Sequence, residues 1–362
     1  MTTGIPPVNV GALARVAPKV DLHCHLTGSV TLDTLVELAG QRSAGLDVDH
    51  LRRAYDLASE PPETREDKFF RGLDLVAEYL ATPDHLAFAV HRLAAHSAMG
   101  GLRYLELFVN PTALMRTGMS FTEVRDGLVE GARTSLTDSN VIVRFIACFL
   151  RDESLATADQ MLDALIAHRV DDFIGVGLDG PELLPGTEPA RFAEVFSRAG
   201  KAGFRRTAHL TETSAQDLEV CLDALGCDRI DHGYPIAEDA RMLTRARESG
   251  VAFTCCLTIT RDILGGLDPR FRDARAHPIT TMLDAGLPIV FGTDDGALVD
   301  TDIGTEYALA VDWYGWNIDD VRAASMRGLD AAWLDDSDRR ELRLTFGREF
   351  EALEDMLPDT AR

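Results

Sequence analysis

Two histidines separated by one residue, His23 and His25, lie in the run DLHCHL at residues 21–26, near the N-terminus. Side chains alternate between the two faces of a β-strand, so both imidazoles point the same way if this run is a strand. Imidazole nitrogens that converge on one point suit a borderline metal such as zinc, which would need one or two further ligands from elsewhere in the chain. The spacing also fits a pair of surface histidines on an edge strand, so the motif has to be judged by its context.

Apolar patterns in the rest of the chain predict the elements that would position such a site. Seven further runs have strand character: residues 103–109, 141–150, 173–178, 204–210, 229–232, 251–257 and 288–292. Helical apolar spacing fills the intervals between them: residues 121–136, 158–168, 189–202, 215–225, 237–249 and 278–285. Eight strand-then-helix units without a low-complexity linker predict an α/β fold, a single parallel (β/α)₈ TIM barrel.

Extra helices are predicted after the first strand and at the C-terminus. Helical spacing covers residues 32–39, 69–80 and 83–99, with a polar, proline-bearing break at residues 41–67. Helices from about residue 318 to 357 follow a barrel core of about residues 18–310, so residues 1–362 are expected to form a single domain. A doubly wound open sheet is the alternative, but it should carry a glycine-rich phosphate turn after the first strand, and residues 23–28 (HCHLTG) do not form one.

The composition of the chain limits the partners and the cellular location that can be expected. A formal net charge of -23, with no local cluster of lysine and arginine, disfavours nucleic acid and anionic membrane surfaces. No apolar run reaches the length of a membrane span and residues 1–10 do not resemble a signal peptide, so a cytoplasmic location is expected. None of the six cysteines belongs to a Cys-x-x-Cys pair and most lie in apolar runs, which predicts reduced, buried thiols.

Polar side chains stand at the ends of three later strands. His209 and Glu212 close the fifth strand, His232 closes the sixth, and Asp294 and Asp295 follow the eighth. Taken singly, each histidine could be a hydrogen-bonded core residue and each aspartate a turn or helix-cap residue. In a parallel barrel, however, the carboxyl ends of all strands meet on one face, which brings these residues together with the first strand's histidine pair.

This convergence predicts a mononuclear metal site with one position left open for water. Its four ligands would be His23, His25, His209 and Asp294. Related barrels hold two metals bridged by a carbamylated lysine on strand four, but the chain's three lysines, Lys19, Lys68 and Lys201, lie elsewhere. One metal ion per chain is therefore expected.

Seven segments, in this order along the chain, resemble the adenosine deaminase family of metal-dependent aminohydrolases. They are His23-Cys24-His25, residues 175–182, residues 209–212, Asp231-His232-Gly233, His277-Pro278-Ile279, Thr293-Asp294-Asp295 and residues 305–308. Each segment is weak evidence alone, whereas the ordered set is specific. The resemblance implies a zinc-dependent enzyme that removes the 6-amino group of an adenine ring and releases ammonia.

The resemblance also implies a role for each matching residue. The four ligands named above would hold zinc, Glu212 would protonate purine N1, and His232 would orient and assist the hydroxide nucleophile. The implied substrate contacts are His25, Thr27, Gly180 through its backbone N–H to N3, and Asp295 to N7. Because the adenine C6 is a poor electrophile, the reaction needs a strong nucleophile at neutral pH and a proton donor on the ring. Asp295 has to carry a proton or meet a protonated N7, since an ionised carboxylate only accepts hydrogen bonds.

Three departures from the family pattern bear on the site. Gly177 replaces the usual aspartate of strand four, and Asp231 replaces the glycine usual before His232. Thr27 replaces the aspartate that bonds the ribose 5′-hydroxyl in adenosine-specific members. None of them removes a metal ligand or the proton donor. The shorter, uncharged Thr27 loses or replaces the 5′ contact, so it bears directly on the substrate.

The expected reaction converts adenosine or deoxyadenosine to inosine or deoxyinosine. The alternative substrates are free adenine and a 5′-modified adenosine such as aminodeoxyfutalosine, whose 5′ group the segment 41–80, with Phe69 and Phe70, would help to cover. Two other classes stay open, a catalytically silent nucleoside-binding protein and a metal-dependent hydrolase of amides or esters. The intact ligand set and Glu212 disfavour the silent protein. No feature of the sequence indicates an oligomeric state.

Overall fold

The computed structural model describes residues 9–41 and 48–356 of the chain. Eight strands lie within these residues: β1 (Lys19–His25), β2 (Leu102–Val109), β3 (Ile142–Leu150), β4 (Phe173–Asp179), β5 (Arg205–Leu210), β6 (Arg229–His232), β7 (Ala252–Cys255) and β8 (Ile289–Phe291). Each strand pairs in parallel with the next, in the order β1 to β8. The predicted strand positions are confirmed to within two residues at either end.

The barrel closes between the first strand and the segment that follows the eighth. Across this seam the backbone N–H of His25 donates to the carbonyl oxygen of Asp294 at 2.9 Å. The backbone N–H of Asp294 donates to the carbonyl oxygen of His23 at 2.7 Å. Both bonds lie at the carboxyl end of β1. The fold is therefore the predicted α/β TIM barrel, and its seam passes through three of the predicted metal ligands.

Helices surround the barrel. Within the described residues they are α1 (Val10–Val16), α2 (Leu26–Ser29), α3 (Leu32–Gln41), α4 (Val48–Tyr55), α5 (Pro62–Tyr79), α6 (Pro83–Met99), α7 (Pro111–Met115), α8 (Phe121–Ser139), α9 (Leu155–Ala167), α10 (Ala193–Lys201), α11 (Asp217–Glu219), α12 (Ala240–Ser249), α13 (Leu257–Asp262), α14 (Pro278–Asp284), α15 (Ile303–Tyr314), α16 (Ile318–Ala331) and α17 (Asp336–Glu354). Shorter 3₁₀ segments cover Pro189–Phe192, Tyr234–Glu238, Leu264–Gly266, Pro269–Arg272 and Gly296–Leu298, and a π-helical segment covers Val220–Leu225. Helices α2 to α6 form the predicted excursion after β1, and α16 and α17 are the predicted C-terminal helices.

The predicted break at residues 41–67 is wrong over much of its length, because α4 and the start of α5 lie inside it. Residues 42–47 of the break lie outside the described residues. Leu51 is the one side chain that α4 buries, and the first turns of α5 are exposed or half-buried. The larger apolar residues of α4, Val48, Leu51 and Tyr55, do recur at helical spacing, but over eight residues only, which is shorter than the window in which such a period is read. Pro62 does not prevent α5, because proline is compatible with the first turn of a helix.

Strand β7 is shorter than predicted, and residue 257 begins a helix instead. The buried carboxylate of Glu306, on α15, accepts hydrogen bonds from the backbone N–H of Leu257 at 2.8 Å and of Thr258 at 3.3 Å. These bonds satisfy donors that the first turn of α13 would otherwise leave without partners. The chain therefore turns inward after Cys255, and α13 brings Ile259 and Thr260 over the carboxyl end of the barrel.

Three further expectations can be compared with the structure. All six cysteines are buried and free, as predicted. Lys19 starts β1 at the amino end of the barrel, where its ammonium donates to the carbonyl oxygen of Gly100 at 2.6 Å, far along the strand from the histidine pair. Among residues 9–41 and 48–356, no helix combines the length and apolar composition that a bilayer crossing requires.

Candidate active site

The carboxyl ends of β1, β5 and β8 bring the predicted metal ligands together. Nε2 of His209 lies 3.2 Å from Nε2 of His23 and 3.2 Å from Nε2 of His25. Oδ1 of Asp294 lies 3.8 Å from Nε2 of His23 and 3.5 Å from Nε2 of His25. All four side chains are buried. The three imidazole nitrogens therefore face one point, and the Asp294 carboxylate lies beside two of them.

The opposite edge of two of these rings faces a hydrogen-bond acceptor. Nδ1 of His23 lies 3.0 Å from Oγ1 of Thr254, and Nδ1 of His209 lies 3.0 Å from the carbonyl oxygen of Leu178. Such partners favour the tautomer with a proton on Nδ1. The unprotonated Nε2 atoms, each with a lone pair, are then the ones that converge.

Asp179, at the end of β4, is a further carboxylate at this site; it lies in the matching segment 175–182, but the sequence analysis gave it no role. Its Oδ2 lies 3.5 Å from Nδ1 of His25 and accepts a hydrogen bond from the side-chain amide of Asn110 at 3.0 Å. Carboxylates in this position fix the ring and the tautomer of metal-binding histidines. The signal that could have identified Asp179 is its place at a strand end in a barrel.

The donor set fits a zinc ion. Nitrogens bound to one zinc at about 2.0–2.1 Å in a tetrahedral shell lie about 3.4 Å apart, and the imidazole nitrogens here lie 3.2 Å apart. Burial and the neighbouring histidines hold the pKa of His23 well below its usual value, so the ring stays in the neutral form that binds metal. Without a cation, buried lone pairs and a carboxylate would face one another. The arrangement therefore indicates a metal site.

His232 and Asp294 both have left-handed backbone conformations, with φ of 67° and 58°. Histidine and aspartate enter this region more readily than most residues, and such conformations concentrate at functional sites. Nε2 of His232 lies 3.5 Å from Oδ2 of Asp294, and the Tyr234 hydroxyl lies 3.1 Å from Nδ1. Burial, together with the neighbouring histidines, holds the pKa of His232 well below its usual value. His232 is therefore a neutral base beside the metal site.

Glu212 lies on the turn after β5, and a second carboxylate holds this turn. Glu182 accepts backbone hydrogen bonds from Thr211 at 2.9 Å, from Glu212 at 2.9 Å and from Thr213 at 3.3 Å. Burial, followed by the charges of Glu66 and Glu182, raises the pKa of Glu212 to about 7. A carboxyl group that is protonated in part at neutral pH is suited to general acid catalysis.

One pocket at this end of the barrel joins the metal ligands to the predicted catalytic and substrate residues. Eight of these residues line it: His25, Thr27, Gly180, His209, Glu212, His232, Asp294 and Asp295. His23 lies beneath the pocket floor, in contact with His209. The structure therefore brings all of the predicted site residues to one place.

Two of the predicted substrate contacts have specific surroundings. Asp295 packs against Gly28, where an added Cβ would lie 1.8 Å from Oδ1 of Asp295, so only glycine fits. Burial and the charge of Asp294 raise the pKa of Asp295 well above its usual value. The backbone N–H of Gly180 already donates to Oδ1 of Asp179 at 2.6 Å. A contact from this N–H to purine N3 therefore requires that the bond be shared or broken.

A second cavity continues outward from the pocket and shares part of its wall. Thr27, Glu66 and Phe70 line both cavities. Helix α5 forms much of the shared wall, and its Phe69 and Leu73 also line the inner pocket. Phe69 and Phe70, predicted to help cover a 5′ group, therefore lie in the pocket wall, and the covering itself stays a prediction. Glu66, which no motif marks, adds a half-buried carboxylate near Glu212.

Comparisons with known proteins agree with this geometry. The model of the adenosine deaminase family matches residues 18–346. The chain is 32% identical over 343 residues to an adenine deaminase of Streptomyces coelicolor, covering 92% of this chain and 95% of that protein.

Solved structures show the same relationship. A zinc-bound amidohydrolase from Burkholderia ambifaria superposes with a TM-score of 0.86 at 28% identity, covering 98% of this chain and 96% of that one. An adenine deaminase from Arthrobacter aurescens gives a TM-score of 0.83 at 25% identity, covering 93% of this chain and 100% of that one. Together with the family match, they show that the chain belongs to the adenosine deaminase family of hydrolytic deaminases.

Proposed function

We propose that this enzyme deaminates the adenine ring of a small purine nucleoside, converting adenosine or deoxyadenosine to the inosine product and ammonia with one zinc ion per chain. The observation that carries the proposal is that Glu212, with a pKa of about 7, lines the same pocket as His25, His209 and Asp294. Hydrolysis at C6 needs a proton donor and a metal site facing one ring.

The residues of the chain would divide the chemistry between them. Zinc, held by the four converging ligands, supplies a Lewis acid that makes a hydroxide nucleophile available at neutral pH. Protonated Glu212 donates its proton to N1, which makes C6 open to attack. His232, neutral and 3.5 Å from Asp294, would orient the nucleophile, accept its proton and pass that proton to the 6-amino group, so that the C6–N bond breaks and ammonia leaves. The proton of the added hydroxyl would return to Glu212.

The ring would be oriented by contacts on its other edge. The raised pKa of Asp295 supports a protonated carboxyl that donates to N7. The N–H of Gly180 would contact N3 after giving up or sharing its bond to Asp179. Both contacts are to purine nitrogens, which supports a purine rather than a simple amide or ester as the substrate.

The outer cavity, beyond the place proposed for the purine ring, favours a substrate whose substituent there carries no charge. Besides Asp179, Glu182 and Glu212 of the inner site, four acidic residues line the outer cavity: Glu66, Asp67, Asp74 and Asp152. Arg116 also lines this cavity, but its guanidinium is paired with Glu153 at 2.8 Å. Because like charges at short range repel, a nucleoside fits this region better than a nucleotide.

Two alternative substrates each have specific support. The similarity to an adenine deaminase favours free adenine. The apolar wall of Phe69, Phe70 and Leu73 beside Thr27 favours an adenosine with an apolar 5′ group.

A substrate panel tests the proposal. The zinc-loaded enzyme is assayed for ammonia release and for the ultraviolet change of purine deamination with adenine, adenosine, a 5′-aryl adenosine and adenosine 5′-phosphate. We expect kcat/KM to be higher for adenosine than for the phosphate by at least tenfold. Deamination of adenine alone would replace the proposal by its alternative, and absence of purine turnover with hydrolysis of amides or esters would overturn it.

Thr27→Asp gives a sharper test of the 5′ contact. An aspartate at this place on α2 would accept a hydrogen bond from the 5′-hydroxyl, so preference for adenosine over the 5′-aryl analogue should rise by about 1–3 kcal/mol, the scale of a hydrogen bond to a charged group. The ratio of kcat/KM values in parent and variant measures it. An unchanged ratio would show that residue 27 does not set specificity.

A further inference from the structure

We propose that Asp231 is a positioning residue of the metal site, which fixes the ring of His23 through the hydroxyl of Thr254 and places negative charge beneath His209. The inference rests on the proposed zinc site. It assigns a role to a residue that touches neither the substrate nor the metal.

Asp231 is completely buried on β6, level with its partners on the neighbouring strands. The strand register pairs it with His209 on β5 and with Thr254 on β7. Its Oδ1 accepts a hydrogen bond from the Thr254 hydroxyl at 2.8 Å, and its Oδ2 accepts one from the Thr207 hydroxyl at 2.7 Å. Both carboxylate oxygens are therefore held by hydroxyl groups from the two flanking strands.

The Thr254 hydroxyl carries the effect of this carboxylate to His23. The Thr254 hydroxyl donates its one hydrogen to Oδ1 of Asp231. The lone pairs of Oγ1 then face Nδ1 of His23 at 3.0 Å, and the carbonyl oxygen of Thr254 lies 3.3 Å from the same nitrogen. Both acceptors favour a proton on Nδ1 of His23, which leaves Nε2 free to bind metal, and Asp231 orients the nearer of the two.

Asp231 also lies directly beside His209, with no residue between them. Its Oδ2 lies 3.6 Å from Nδ1 of His209, the nitrogen that donates to the carbonyl oxygen of Leu178. On the far side, Nε of the buried Arg229 lies 4.0 Å from Oδ1 of Asp231. A buried carboxylate at this distance stabilises the partial positive charge that an imidazole acquires when it binds a cation.

Two departures from the family pattern meet at this place. A Cβ at Gly177 would lie 3.6 Å from Cγ2 of Thr207, the threonine that bonds Asp231. It would also lie 2.6 Å from Sγ of Cys148, so the space for a side chain there is already filled. The chain thus lacks a carboxylate on β4 beside Thr207 and has one on β6 bonded to the same threonine.

Three variants separate positioning from packing. Asp231→Asn removes the charge, and Thr254→Val removes the hydroxyl link to His23 while leaving Asp231 in place. Ser135→Ala is the control for the loss of a buried hydroxyl, because the Oγ of Ser135 donates to the carbonyl oxygen of Gly131 within α8. A fourth variant, Thr254→Ser, keeps a hydroxyl at position 254.

The readout is the zinc dissociation constant of the metal-free proteins, measured by competition with a chelating dye, with their melting temperatures recorded alongside. We expect zinc binding to weaken roughly 10- to 100-fold in Asp231→Asn and Thr254→Val, and to stay within about threefold of the parent in Ser135→Ala and Thr254→Ser. Unchanged affinity in the first two, or an equal loss in Ser135→Ala, would overturn the role of Asp231. A parent that binds no zinc would instead overturn the proposed function.

Discussion

The acidity of Glu212 depends on its surroundings. Burial and the charges of Glu66 and Glu182 oppose its ionisation, while the backbone bonds from its turn to Glu182 fix where it stands. His232 shows the opposite case, because burial among other imidazoles keeps it neutral. One pocket therefore holds a carboxyl group that is protonated in part at neutral pH and a neutral imidazole, the two groups to which the proposed mechanism gives the proton transfers.

Replacing Glu212 by glutamine tests this assignment at the scale of one residue. An amide cannot deliver a proton to N1, so turnover should fall by about 10² to 10⁴, while zinc content measured by elemental analysis stays at the parental level because Glu212 is not among the converging ligands. A variant that keeps the parental rate on every purine deaminated by the parent would remove Glu212 from the mechanism.

Helix α5 contributes both apolar side chains and a negative charge to the pocket wall. Its buried face presents Phe69 to the pocket, and one turn earlier it presents Glu66. The charge of Glu66 contributes to the raised pKa of Glu212. The position of this helix therefore influences both which substituent fits and the pH at which the proton donor works.

Glu66→Gln should move the pH profile of kcat/KM. Glu212 must be protonated to act, so activity falls on the alkaline side as Glu212 ionises. Removing the nearby negative charge lowers the pKa of Glu212, and the alkaline limb should shift to lower pH. Asp67→Asn, at the next position on α5 but exposed, is the matched control and should leave the limb in place. If the alkaline limb does not move in Glu66→Gln, the charge of Glu66 does not influence the pKa of Glu212.

At the scale of the whole molecule, the metal site lies across the seam of the barrel. His23 and His25 come from β1 and Asp294 from the segment after β8, and few backbone hydrogen bonds join these two strands. His209 adds a ligand from β5, on the other side of the barrel. A bound ion would therefore link strands that the sheet itself joins weakly.

Zinc should accordingly stabilise the fold. Elemental analysis should find about one zinc per chain, and zinc present at about 1,000 times its dissociation constant should add about 4 kcal/mol to the free energy of unfolding, seen as a rise in Tm over chelated protein. His23→Ala should lose the metal, the rise and the activity together, whereas Glu212→Gln should keep the rise. Two metals per chain, or full activity in metal-free protein, would contradict the mononuclear site.

The sequence by itself determined the barrel and which polar residues meet at its carboxyl end, because both follow from rules that need no coordinates. Strand alternation places His23 and His25 on one face, and eight parallel strands put every carboxyl end on one side, which groups His209, His232 and Asp294 with them. Helix α4 was missed because its apolar period spans only eight residues, and the start of α5 was missed because residues 63–68 are all polar or charged.

Only the tertiary structure decided which side chains support these residues. The contact of Asp231 with Thr254 depends on the register between β6 and β7, and the bonds of Glu182 to the turn at 211–213 join segments about thirty positions apart. Glu66 reaches the pocket only because α5 packs over it. A shift of one residue in register would turn a strand's side chains to the opposite face, and no local pattern of residues specifies that register or the placement of a mostly exposed helix.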